Sequence, residues 1–100
     1  MAVVAGKVAI VTGGASGIGR AIAERIAEEG AAGVAVADLD GPGAEAVAAG
    51  LGAQALGAEC DVTDEAALRA LIERTEQAFG PVDVFFANAG VIGGSDEQTP

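Results

Sequence analysis

The sequence predicts an α/β fold, doubly wound around a parallel sheet of four strands in the order 3-2-1-4. Three observations predict it. Apolar runs rich in β-branched residues alternate with segments of helical spacing. The first run, Lys7-Val8-Ala9-Ile10-Val11, opens directly into the glycine-rich stretch Thr12-Gly13-Gly14-Ala15-Ser16-Gly17-Ile18-Gly19. The second, Gly33-Val34-Ala35-Val36-Ala37, is closed by an acid, Asp38, 19 residues past Gly19.

Taken in order, residues 7–12 form the first strand. The first helix runs from Gly17 to Glu29, with Ile18, Ile22 and Ile26 inward and Arg20, Glu24, Arg25, Glu28 and Glu29 outward. Arg25 and Glu29 are spaced to pair, and Gly30 is placed to cap the helix end. Arg20 belongs to the charged stripe and reads as a solvated face rather than a phosphate ligand. Residues 33–38 form the second strand. Gly41-Pro42-Gly43 then breaks the chain before a weak helix over 44–50, which Gly50 and Gly52 end. The third strand covers 55–60. Thr63 is placed as the next N-cap, with Asp64 and Glu65 in a first turn whose dipole favours acids. Leu68, Leu71, Ile72, Thr75 and Phe79 share one face of that helix, and Gly80-Pro81 stops it. Val82 to Ala87 is the fourth strand, apolar apart from Asp83, followed by the turn Asn88-Ala89-Gly90 and no further periodicity. Right-handed crossovers and the strand order of dinucleotide-binding sheets give 3-2-1-4.

A glycine loop between a buried strand and a helix start is suited to phosphate. The helix start offers unpaired N–H groups and the positive end of a dipole. Glycine adds backbone freedom and removes the Cβ that would block a pyrophosphate. Packing alone also produces such loops, but Asp38 stands where an acid takes the hydroxyls of an adenosine ribose. The strand order reverses between strands 1 and 4, leaving a crevice at their carboxyl ends. Gly13, Gly17 and Gly19 reach it from strand 1, Asp38 and Asp61 from strands 2 and 3, and Asn88 to Gly90 from strand 4.

Composition narrows the function classes. One hundred residues, 51% of them hydrophobic, make a single globular domain at most. The net charge of −10 argues against nucleic acid and anionic membrane as partners. Cys60 is the single cysteine; it fits a reducing compartment and reads as a small buried hydrophobe, with no histidine to activate it. Residues 1–7 have neither the charged start nor the apolar length of a signal peptide. No stretch reaches the roughly 18 apolar residues of a membrane helix. The expectation is a cytoplasmic protein with no metal site.

In Thr12-Gly13-x-x-x-Gly17-Ile18-Gly19, Asp38, Asp61-Val62 and Asn88-Ala89-Gly90, in that order, the chain resembles the short-chain dehydrogenase/reductase family. The resemblance covers the whole chain. It implies a partial Rossmann fold, with residues 1–100 as an NAD-binding half-domain and NAD as cofactor. It implies pyrophosphate contacts along the Gly13–Gly19 loop, from the backbone near Ser16, Gly17 and Ile18. Asp38 would hold the adenosine ribose, and Asp61 and Val62 would flank the adenine. Asn88 would lie near the ribose, and the Ala89-Gly90 backbone close to the cofactor. Asp61 also reads as a turn or capping acid, and Asn88 as a tie between strands. The implied activity is hydride transfer between NAD(H) and a small alcohol or ketone.

Two departures from the family pattern stand out. The position before Asn88 is Ala87, where the family often has a second Asn. More consequentially, the family's Tyr-x-x-x-Lys pair and serine are missing. There is no tyrosine or histidine, the only lysine is Lys7 at the wrong end of its strand, and Ser95 has no partner. No catalytic residue is therefore assigned, the catalytic half is expected to be absent, and the chain alone is expected to be inactive. A free-standing nucleotide-binding module is the alternative. A methyltransferase is disfavoured, because Val11 and Thr12 stand where its acid would be. NAD is expected over NADP: Asp38 would face the 2′-phosphate, with Asp40 as its rival, and residues 15, 16 and 39 supply no cation. The apolar fourth strand lies at a sheet edge, so self-association is expected.

Overall fold

The computed structural model describes residues 4–88; Ala89, Gly90 and Ser95 lie outside the described residues. The elements are β1 (Val8–Thr12), α1 (Gly17–Glu28), β2 (Gly33–Asp38), α2 (Gly41–Leu51), β3 (Ala55–Glu59), α3 (Glu65–Phe79) and β4 (Val84–Phe86). The strands form one sheet in the order β3-β2-β1-β4, every pair parallel. This is the expected partial Rossmann topology.

The apolar runs of β1 and β2 are continuous because the sheet is covered on both faces. On one face, Ala9, Val11, Val34 and Val36 pack under Ala23 and Ile26 of α1 and Ala44, Val47 and Ala48 of α2. On the other, Ile10, Ala35, Ala37 and Ala58 pack under Leu71 of α3, with Leu68 and Ile72 at the margin. Small residues bring the layers together. A Cβ on Gly57 of β3 would come within 2.6 Å of the Ala44 carbonyl oxygen, so α2 lies directly on that strand.

Helix ends follow the local chemistry. Gly30, at φ +93°, ends α1 by donating its N–H to the Ala27 carbonyl at 3.1 Å, while Ala31 donates to Ile26 at 3.2 Å. This paired closure needs a left-handed residue, hence glycine. The expected pair Arg25–Glu29 forms at 2.9 Å, and Arg20 pairs with Glu24 at 2.9 Å on the solvated face.

Several expectations need correction. Ile18 is not inward: it lies in the first turn of α1, beyond the sheet edge, and is 66% exposed. Gly41-Pro42-Gly43 does not break the chain before a helix at 44, but is itself the first turn of α2. Proline is tolerated there because first-turn N–H groups have no intrahelical acceptor, and Asp40 caps the turn by accepting the Gly43 N–H. The N-cap of α3 is Asp64 rather than Thr63: its carboxylate accepts from the Ala66 and Ala67 N–H groups, while the Thr63 hydroxyl donates back to Asp61. The third strand stops at Glu59, and the fourth is only Val84–Phe86. Asp83 lies just before β4 rather than within it, and is tied to β1. Its carboxylate accepts the Val8 N–H at 2.9 Å, and its own N–H donates to the Val8 carbonyl at 2.8 Å.

Candidate nucleotide-binding site

In a parallel sheet all strands end at one edge, which brings the sequence-predicted residues together. The pairings Thr12↔Ala37, Val11↔Phe86 and Asp38↔Glu59 put Gly13, Asp38, Glu59 and Asn88 in one row across the four strands. Asp61 and Val62 follow β3, two strands and about 10 Å from β1.

The loop after β1 is held against the end of β2. Gly13, at φ +67°, turns the chain out of the strand. The Gly14 N–H then donates to the Ala37 carbonyl at 3.0 Å, and the Ala15 N–H to Asp38 Oδ2 at 3.0 Å. Gly14 is glycine for packing, since a Cβ there would lie 2.7 Å from Val36 Cγ1. Gly17, at φ +60°, begins the helix. A Cβ on Gly19 would run into the Gly13 carbonyl oxygen and lie 2.9 Å from Asn88 Nδ2.

Ser16, the N-cap of α1, is extended and makes no side-chain cap, and the first turn holds no acid. Helix geometry leaves the Gly17, Ile18 and Gly19 N–H groups without an intrahelical acceptor. The starts of α2 and α3, by contrast, are both filled by aspartate carboxylates. In a chain of net charge −10, the glycine loop thus carries the one helix start, of the three described, that is left open to an anion.

Asp38 is a shared acceptor. Its Oδ2 takes the Ala15 N–H, and its Oδ1 takes the Asp40 N–H at 2.9 Å. Each oxygen retains a lone pair for a further donor such as a ribose hydroxyl. Asp61 serves its own turn: Oδ1 accepts from the Thr63 hydroxyl at 2.6 Å and the Thr63 N–H at 2.9 Å. The Thr63 hydroxyl, and then its N–H, hold the Asp61 carboxyl below the usual carboxylate range. Val62 is half-buried and packs into the core beneath α3. Cys60 is buried, and that burial pushes its thiol up, with Asp61 and Asp64 adding to the effect, so it is an inert core residue.

On the β4 side, Thr12 Oγ1 accepts the Asn88 N–H at 2.9 Å and donates to the Phe86 carbonyl at 3.3 Å. Asn88 Nδ2 reaches the Gly13 carbonyl at 3.5 Å, so Asn88 does tie β4 to the glycine loop. Sequence reasoning missed the bridging role of Thr12. It also missed Leu39, which follows Asp38 and is 67% exposed at this edge. A large apolar residue directly after the strand-ending acid was the available signal. A separate groove of about 480 Å³ between α1 and α2, with Arg20, Glu24, Val47 and Leu51 in its walls, shares no residue with this edge.

Comparisons with known proteins give the family. The short chain dehydrogenase family model matches residues 7–99. The (-)-isopiperitenol/(-)-carveol dehydrogenase, mitochondrial, of Mentha piperita is 47% identical over 87 residues, which is 86% of this chain and 33% of that protein. A (+)-cis,trans-nepetalactol synthase of Nepeta racemosa is 42% identical over 87 residues, 87% of this chain and 32% of its own length. The crystal structure of a 3-ketoacyl-(acyl-carrier-protein) reductase from Brucella melitensis, complexed with NADH, superposes with a TM-score of 0.78 at 41% identity, covering 82% of this chain and 34% of that one. The chain thus spans about a third of the length of these relatives. With its fold, its glycine loop and the match over residues 7–99, the chain belongs to the short chain dehydrogenase family.

Proposed function

We propose that the chain binds NAD across the carboxyl ends of its strands and supplies that site to an NAD-dependent oxidoreductase acting on an alcohol or ketone. The observation that carries this reading is the Asp38 carboxylate, fixed by the Ala15 N–H at 3.0 Å beside the uncapped start of α1. The N–H groups of Gly17, Ile18 and Gly19 would hold the pyrophosphate, and Asp38 would accept the adenosine ribose hydroxyls. Asp61 and Val62 would border the adenine, and Asn88 would lie near the ribose. When bound, the cofactor supplies the hydride donor or acceptor.

The chain's own residues bind and orient. With no tyrosine or histidine in the sequence, and Lys7 before the amino end of β1, no residue here is assigned the proton transfer that accompanies hydride transfer. A nucleotide-binding module without chemistry of its own is the second reading.

Calorimetric titration of the chain with NAD and NADP tests the cofactor. NAD is expected to bind more tightly; equal affinity, or a preference for NADP, would defeat the proposal. Grafting the segment onto the remaining two thirds of a dehydrogenase relative, and following NADH absorbance, separates the two readings. Turnover supports the oxidoreductase; NAD binding without turnover supports the module.

A further inference from the structure

We propose that the groove between α1 and α2 is a docking site for a basic, amphipathic helix of a partner protein. The groove holds about 480 Å³ and shares no residue with the nucleotide edge. Its floor is Ala27, Val47 and Leu51, apolar side chains in or against the core beneath the two helices. Its two rims differ. The α1 rim carries Glu24 and Glu28, one turn apart, and the α2 rim offers Ala46 and Gly50. α2 has one charged residue, Glu45, among its 11, and Ala46, Ala49 and Gly50 are exposed on it. A helix so apolar on its outer side is ordinarily covered.

Charge selects the occupant. Glu24 is paired with Arg20 at 2.9 Å, whereas Glu28 has no ion-pair partner among the described residues. The rim therefore presents a net negative charge beside an apolar floor. A lysine or arginine on the flank of an incoming helix meets Glu28, while its apolar stripe enters the groove. Small residues on the other rim let the incoming backbone come close. From Arg20 to Glu28, α1 borders about 12 Å of the groove, the rise of two helical turns. Apolar residues at i, i+4 and i+7 of a partner helix span that distance. A second copy of this chain fits poorly. It carries 5 basic against 15 acidic residues, and Arg20, Arg25 and Arg69 are already paired.

Fluorescence anisotropy tests this with a labelled peptide of about 15 residues, long enough to form a helix, with leucines on one face and lysines on one flank. The same peptide with glutamates for lysines is the control. Opposite unit charges about 4 Å apart in water are worth about five-fold in affinity. Glu28→Lys turns one attraction into a repulsion, so it should weaken the basic peptide by about ten-fold or more. Gly50→Leu, at a position whose Cβ meets nothing within 4 Å, fills the groove and should abolish binding. Glu73→Lys makes the same change in net charge on α3 and should leave affinity within about two-fold. Thermal melts check that each variant is folded. If Gly50→Leu unfolds, Glu28→Lys, altered at an exposed side chain, still decides. Wild type that ignores the basic peptide, equal binding of the acidic one, or an equal loss in Glu73→Lys would overturn the proposal. So would a dimer, in sedimentation of the chain alone, that Gly50→Leu dissociates, because the groove then belongs to a second copy.

Discussion

Asp38→Asn replaces a carboxylate that takes two backbone N–H groups with an amide that can accept at only one end. One of those groups, on Ala15, is half-buried, and the other, on Asp40, is exposed. The amide oxygen will stay on Ala15, because water can replace the lost bond at Asp40 but not as readily at Ala15. The structural penalty then lies near the low end of the range of about 1–3 kcal/mol for a lost partner. In a domain of this size, about 1 kcal/mol lowers the melting temperature by about 4–8 °C. The effect on selectivity is larger. A carboxylate and a 2′-phosphate about 4 Å apart repel by about 1 kcal/mol in water and about 4 kcal/mol at an effective dielectric near 20. Removing that repulsion should raise NADP affinity at least five-fold. NAD affinity should fall, since a neutral amide accepts ribose hydroxyls less well than a carboxylate. Calorimetric titration of both proteins with both dinucleotides, with a melt for each, reads all three quantities. If NAD and NADP affinities fall together and their ratio stays at the wild-type value, Asp38 is a loop support only, and the reasoning about its charge fails.

Two further outcomes follow from the same geometry. Gly19→Ala should destabilise the chain by about 1–3 kcal/mol in urea unfolding and weaken NAD binding, because its Cβ would displace the Gly13 carbonyl and crowd Asn88. Gly50→Ala, which meets nothing within 4 Å, should stabilise α2 by up to about 1 kcal/mol; unaltered NAD binding by Gly19→Ala would contradict the close-approach argument. Thr63→Ala removes the hydroxyl that holds the Asp61 carboxyl below its ordinary value of 3.8. A depressed folded-state value contributes stability above the unfolded value and loses it as pH falls through the folded one. Wild type should therefore exceed Thr63→Ala in stability at neutral pH, and the gap should close as acid protonates Asp61. A gap that stays constant across that range would assign the effect to packing.

The parts of the fold that were legible in the sequence share a physical cause. β1 and β2 are covered on both faces, so their apolar runs are unbroken, and their bounds were readable to within a residue. Gly30 was readable as a helix cap because few other residues adopt its conformation without strain. The failures arose where short-range chemistry competed. Thr63 and Asp64 can both cap a helix; the carboxylate won because it accepts two N–H groups, leaving the hydroxyl to Asp61. Gly41-Pro42-Gly43 reads as a breaker on composition alone, yet Asp40 followed by proline in the next turn is a helix start. Ile18 kept helical spacing with Ile22 and Ile26, but spacing does not reveal that the first turn of α1 projects past the end of the sheet. At the site, the need for glycine at Gly13 and Gly17, both at positive φ, was visible as a residue type, whereas the bridging by Thr12 depends on Asn88, 76 positions away in sequence.

The brevity of β4 makes the site depend on a residue far from it. Three strand residues cannot hold a register firmly, and a slip of one residue would send every side chain to the opposite face. Two clamps do so instead: Asp83 on Val8 at one end, and Thr12 on Phe86 and Asn88 at the other. Asp83 lies five residues before Asn88, about 16 Å along an extended strand. Its carboxylate nevertheless sets where Asn88 arrives beside Gly13. A change at the amino end of the sheet is thereby transmitted along the strand, like a shift at one end of a ruler pinned at both, to the glycine loop.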